Sequence, residues 1–192
     1  MLLVAIALGL ALSVQAYAVK PYRIPSASME PTLHVGDRVL VNRLSHRLGA
    51  KPRVGQIVVF HPPHGADLSP PRCGGVGEGQ VSGTLCSRPT AEESSQTFIK
   101  RVVGAEGDRI ALRNGHVLRN GRLQEEPYIN PCGAGAECDL RQEVTVPEGF
   151  VYLLGDNRGA SLDSRFWGPV PVAWVIGEAM AIYWPPGRAG GP

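Results

Sequence analysis

Glycine and proline interrupt this chain so often that long helices are not expected. It has 24 glycines and 17 prolines in 192 residues. Proline lacks a helix donor and clashes with the preceding turn, and glycine loses the most backbone entropy on ordering. The stretches between these breaks are short, which predicts a β-rich chain with many turns. A hydrophobic fraction of 43% argues against disorder. The length suits one domain, or a domain with a small appendage, and can build a core without help from disulfides. Nineteen Lys and Arg nearly balance seventeen Asp and Glu. A dedicated nucleic-acid binder carries a clustered basic excess, so no nucleic-acid partner is expected.

Residues 2–19 read LLVAIALGLALSVQAYAV, without a charge. As a helix, 18 residues span about 27 Å, close to a bilayer core. A transmembrane anchor is one reading. A secretory signal peptide is another, because Ala16-Tyr17-Ala18 is a small-x-small cleavage pattern. A buried core helix is a third. Lys20 and Arg23 follow the segment and favour a cytoplasmic body by the positive-inside rule. The four cysteines point the other way. Cys73 with Cys86 and Cys132 with Cys138 are two pairs close in sequence, and neither has the two-to-four-residue spacing of a structural zinc knuckle. Two disulfides in an exported body are the favoured reading, and no metal is expected.

Alternating or continuous apolar runs predict strands at 38–42, 56–60, 97–103, 108–112, 116–118, 143–146 and 150–154. Asn114-Gly115 and Asn120-Gly121 are hairpin signals. The apolar run 174–184 favours strand because Val175, Ile176, Ile182 and Tyr183 do. Residues 61–96 read as a long surface loop, and the final residues, PPGRAGGP, as an unstructured tail.

Three segments carry chemistry. Residues 24–33, IPSASMEPTL, hold two serines on a proline-stiffened turn just after the apolar segment. Lys100 interrupts an apolar strand, TFIKRVV. It is either a solvated edge residue or a buried lysine; burial lowers the pKa and yields a competent general base. Residues 155–168, GDNRGASLDSRFWG, put two Asp and two Arg directly after an apolar strand, the density of a loop that orients a site. None of the five histidines stands out as the base of a Ser-His-Asp triad.

These segments resemble the type I signal peptidases, membrane-bound serine proteases. PSASMEPTL is similar to the family's nucleophile box, and GDRVLVNR (36–43) to its second. FIKRVVGAEGD (98–108) is similar to its lysine box, and GDNRGASLDSRFWGPV (155–170) to its last. All four occur in order. Ala27 stands where the family often has Gly, and Gly159 and Ala160 where it often has charged or amide residues.

The resemblance implies a mostly antiparallel all-β fold, like that of signal peptidases and repressor-type self-cleaving proteases. It adds one N-terminal transmembrane helix and a small inserted β domain. The expected division is an anchor at 1–19, a catalytic domain at 20–108 plus 148–185 with 61–96 as a loop insertion, a second domain at 109–147, and a disordered tail at 186–192. The implied activity is removal of N-terminal signal peptides from exported preproteins after small-x-small sites. Ser28 would be the nucleophile and Lys100 the general base. Ser26 would help form the oxyanion hole, and Ser161 would orient the lysine. Arg101, Asp156, Arg158, Asp163 and Arg165 would form a polar scaffold, with Asp163 paired to Arg101 or Arg165. Tyr22, Ile24, Pro25, Met29, Leu33, Phe98 and Ile99 would line shallow pockets. The implied partners are preprotein signal peptides and membrane lipid. No cofactor is implied. The body would face the extracytoplasmic side of the plasma or inner membrane, held by a single span. The competing readings are a self-cleaving repressor-type protease using the same dyad, a secreted disulfide-bonded β-rich binding module in which Ser28 and Lys100 have no role, and an inactive family member serving as scaffold.

Overall fold

The computed structural model describes residues 18–66, 73, 85–88, 91–132 and 138–192. Residues 1–17 of the expected membrane segment lie outside these. Among the described residues no helix is long and apolar enough to cross a membrane.

The described strands form two sheets, paired antiparallel. The larger contains β1 (Val19–Arg23), β2 (Arg38–Asn42), β3 (Ile57–Phe60), β4 (Phe98–Ala105), β9 (Phe150–Leu154), β10 (Val170–Pro171) and β11 (Val175–Trp184). Its spatial order is β1-β2-β11-β3-β4-β9-β10. The smaller is made by β5 (Arg109–Arg113), β6 (His116–Arg119), β7 (Arg122–Leu123) and β8 (Val144–Thr145), in the order β7-β6-β5-β8. Helices are short: α1 (Leu44–Arg47) and α2 (Ser164–Trp167), with a few single 3-10 turns.

Sequence pattern explains most of this. β3 reads IVVF and is buried along its whole length, as befits a strand covered on both faces. Both Asn-Gly pairs make their tight turns. Asn114 and Gly115 have φ of 50° and 82°, and Asn120 and Gly121 have 55° and 76°, the positive values that favour these residues at hairpin tips. The apolar run ending at Trp184 is strand from Val175 onward.

A cluster of Ile24, Met29, Leu33, Val41, Ile57 and Ile99 joins the turn after β1 to strands β2, β3 and β4. A second cluster sits between the two sheets, with Ile110, Leu112, Val117, Leu140, Tyr152 and Leu154. Each fully buried aliphatic side chain contributes about 1.5–3 kcal/mol.

Disulfides join Cys73 to Cys86 and Cys132 to Cys138. Cys86 is locked to the body, for its N–H donates to Arg165 O at 3.0 Å and its carbonyl accepts the buried Tyr152 hydroxyl at 3.2 Å. Leu85 and Cys86 of the 61–96 loop are therefore part of the core.

The unstructured tail is a correction. Pro186–Arg188 form a 3-10 turn. Gly190 exchanges both backbone hydrogen bonds with Ile182, and the Arg188 guanidinium reaches Asp37 at 3.0 Å and Thr32 O at 3.0 Å. Asp37 is buried, and the charge-assisted bond to Arg188 holds the tail down.

Candidate active site

Ile24 ends the β1 segment by donating to Asp37 O at 2.8 Å, and the chain then enters a 3-10 turn, Ala27–Met29. This turn buries Ser28 and Met29 together. Lys100 approaches from β4, where it pairs with Val58 of β3. With β9 on its other side, β4 is an interior strand, and Ile99 to Gly104 are all buried. The solvated-edge reading of Lys100 is therefore overturned. The lysine is 4% exposed, and its Nζ lies 2.6 Å from Ser28 Oγ. Ser26 Oγ donates to Ser28 Oγ at 3.3 Å.

Electrostatics favour a reactive amine. Removal from water pushes Lys100 down from 10.5 to about 8. Asp163 opposes that shift, Arg165 reinforces it, and Asp156 opposes it. Asp163 is itself wholly buried. Burial alone would raise its carboxyl, but Arg165 and the Gly155 N–H overcome this and hold it below the usual range.

The last segment supplies the frame. Asp163 pairs with Arg165 at 2.8 Å and caps α2 through the Arg165 N–H. Of the two partners expected for Asp163, Arg165 is the one found. Arg101 instead pairs with Asp156, donating from Nε at 2.8 Å and from Nη2 at 2.7 Å, and its guanidinium stacks on the Tyr128 ring at 4.0 Å. Thr32 Oγ1 completes Asp156 at 2.6 Å. Arg158 is fully buried and pairs with Glu126 at 2.7 Å, a partner for which the sequence offered no signal. Ser161 is buried, and its hydroxyl faces Asp163 and the Leu162 carbonyl.

A cleft of about 400 Å³ opens over Ser28 and Lys100. Of the residues expected on its walls, Tyr22, Ile24, Pro25, Phe98 and Ile99 are there. Met29 and Leu33 are not: both are 0% exposed and pack in the core beneath, Met29 from the 3-10 turn and Leu33 from the turn that follows it. Ala160 and Leu162 are unforeseen additions to the wall. A hollow of about 660 Å³ beside Arg53 and Glu178 is larger, but it includes neither Ser28 nor Lys100. No cluster of His, Cys, Asp and Glu suited to a metal ion occurs among the described residues.

Set beside known proteins, residues 1–184 match the family model described as signal peptidase, peptidase S26. The chain belongs to this family. Its members are serine endopeptidases, and the resemblance of the four segments now has a family-wide basis. The chain is 38% identical to a probable signal peptidase I-1 of Synechocystis over 189 residues, 98% of this chain and 83% of the relative. It is 36% identical to signal peptidase I of Mycobacterium tuberculosis over 200 residues, 91% of this chain and 68% of the relative. It is also 36% identical to thylakoidal processing peptidase 1 of Arabidopsis thaliana over 170 residues. That match takes in 88% of this chain but only 43% of the plant protein.

Proposed function

We propose that this chain is a membrane-anchored signal peptidase that cleaves preproteins after small-x-small sites with a Ser28-Lys100 dyad. The observation that carries this reading is the 2.6 Å contact between Ser28 Oγ and a buried Lys100 Nζ with a depressed pKa. That distance is within proton-transfer reach.

The neutral amine of Lys100 takes the Ser28 hydroxyl proton as Oγ attacks the scissile carbonyl. The resulting oxyanion is met by the Ser28 N–H and the Ser26 hydroxyl. Lysine then gives its proton to the leaving amine, and the new N-terminus departs. Water enters and Lys100 takes its proton. The hydroxide equivalent attacks the acyl-enzyme, Ser28 regains a proton from Lys100 as the tetrahedral intermediate collapses, and the signal peptide leaves as a carboxylic acid that gives its remaining proton to solvent. No metal or organic cofactor is needed for this sequence of steps.

The cleft supports the specificity. Its walls carry Ile24, Phe98 and Ile99, and shallow apolar pockets exclude large side chains sterically. β9 pairs with β4 from Arg101 onward, so among the described strands none pairs with Phe98–Lys100 on that side, which suits a substrate added there as an extended strand. The membrane reading is supported where residues 2–17 join the body. Arg43 N–H donates to Ala18 O at 2.8 Å, and beside it α1 and its C-cap present Leu44 and Leu48 to solvent, Leu48 at 77% exposure. Arg43 and Arg47 flank them, a pairing of apolar and basic side chains that suits an anionic bilayer surface.

The test is cleavage of a detergent-solubilised preprotein with an Ala-x-Ala site by the wild type, Ser28→Ala and Lys100→Ala. Circular dichroism verifies that each is folded. Product from the wild type alone supports the dyad. Equal product from all three, or none from folded wild type, overturns it.

A further inference from the structure

We infer that Asn157 is a positioning residue that aims the oxyanion donor, an inference that rests on the dyad reading above. Asn157 holds the nucleophile turn at two successive carbonyls. Its backbone N–H donates to Ser28 O at 3.1 Å. Its side-chain Nδ2 donates to Ala27 O, also at 3.1 Å. The amide's orientation follows from its neighbours. Ala27 O can only accept, so it faces Nδ2, while Oδ1 accepts from Asn130 Nδ2 at 3.2 Å.

The consequence lies in peptide geometry. Ala27 C=O and Ser28 N–H belong to one planar unit, and in a trans peptide they point in opposite directions. The cis bonds of the described chain are at Glu30-Pro31 and Trp184-Pro185, so the Ala27-Ser28 unit is trans. A donor fixed on Ala27 O therefore sets the direction of the Ser28 N–H, which points away from Asn157. It also polarises that N–H, since hydrogen bonds in series strengthen one another. Glu30 N–H reaches the same carbonyl at 3.1 Å, but it belongs to the turn itself and moves with it. Asn157 is the anchor from outside the turn.

Asn157 is in turn held from the far side. Asn130 N–H donates to Asp156 O at 2.9 Å, and Arg158 N–H to Asn130 O at 2.9 Å, so residues 130 and 157 form a parallel bridge. The segment leaving the small sheet thereby braces the residue that braces the nucleophile turn. Lys100 has no part in this chain of contacts.

Asn157→Asp keeps the size and the backbone bond to Ser28 O but removes the side-chain donor. Loss of an oxyanion donor outright lowers kcat about 100- to 1000-fold, and misdirecting one is expected to lower it about 10- to 100-fold. The prediction is that drop in kcat for Asn157→Asp and Asn157→Ala, with KM and thermal midpoint essentially unchanged. In Asn157→Ala, which adds no charge near Lys100, the acid limb of the pH profile should also stay in place. A readout independent of turnover is the Ser28 amide in nitrogen–proton correlation spectra. It should shift and exchange faster in Asn157→Asp, with the Lys100 amide unmoved. Wild-type kcat in Asn157→Asp overturns the inference, as does an unmoved Ser28 amide or a loss that follows the thermal midpoint. Absence of cleavage by wild type, with the Ser28 amide still responding to Asn157→Asp, overturns the dyad reading and leaves the positional assignment supported.

Discussion

Lys100 Nζ stands 2.6 Å from Ser28 Oγ across 72 residues of sequence, in a place where water reaches neither side chain freely. The distance is set by two separate pieces of architecture. An interior strand supplies the lysine, and a 3-10 turn packed on its own core supplies the serine. Burial then makes the amine a base near neutral pH. For a base that must be neutral to act, activity rises with pH through its pKa. The profile of kcat/KM in the wild type is therefore expected to climb through about pH 8 and to be lost below it. Lys100→Arg keeps the charge but cannot give up its proton to become a neutral base, and should be inactive at every pH. A rising limb centred near 6.5, where free histidine titrates, would point to a different base.

The same burial has a stability consequence of opposite sign. Folded Lys100 titrates at about 8 against 10.5 ordinarily, so the folded chain binds that proton more weakly than the unfolded chain does. Stability contributed by this group is greatest above 10.5. It falls as pH drops toward about 8, and below that the full penalty for a buried ammonium remains. Lys100→Met, close in length and apolar, should raise the midpoint of thermal unfolding at neutral pH while abolishing cleavage. The gain should vanish above pH 10.5, and a variant less stable than wild type at pH 7 would contradict this.

Much of this arrangement was legible beforehand, and the exceptions have physical causes. Strands at Arg38–Asn42, Ile57–Phe60 and Phe98–Ala105 announce themselves because apolar runs bounded by turn residues have few other ways to bury surface. β1 was not foreseen: VKPYR has little alternation, carries Pro21, and is mostly exposed. It is an edge strand that forms because β2 offers an open ladder, and an edge tolerates proline. Met29 and Leu33 were expected on the cleft wall, but side-chain direction in consecutive tight turns cannot be read from composition. Glu126 was invisible for a related reason, since nothing local distinguishes it from Glu125 until Arg158 arrives from 32 residues away.

That ion pair ties the small sheet to the site. Glu126 Oε2 also accepts the Val117 N–H at 2.8 Å, and Arg158 donates to the carbonyls of Gly115 and Gly155. Both side chains are essentially inaccessible, at 0% and 2% exposure. Glu126→Ala would leave a guanidinium buried without its counter-charge and is expected to lower stability by about 3–5 kcal/mol. Replacing the pair together, as Glu126→Leu with Arg158→Met, should recover part of that loss, because no lone charge remains. Denaturant titration of the wild type and both variants checks both. A single variant within about 1 kcal/mol of wild type would show that the pair is not what holds the two parts in register.

Gly155 lies tight against the turn that carries Ser28. A Cβ there would overlap the Ser28 carbonyl oxygen and the Ser161 side chain. Neither obstacle can yield cheaply: one is backbone of the nucleophile turn, and the other belongs to a buried residue whose hydroxyl is directed at Asp163. Gly155→Ala must therefore push the 155–163 loop away from Ser28, stretching the Asn157 contacts and the Gly155 N–H bond to Asp163 at 3.1 Å. The expected cost is about 1–3 kcal/mol of stability, as for other overpacked sites. A loss of cleavage larger than the stability change explains should accompany it. Gly191→Ala, which meets nothing within 4 Å, serves as the control and should behave as wild type in both assays. Full activity in Gly155→Ala would mean that the loop can retreat without disturbing the serine, and that the contact is packing alone.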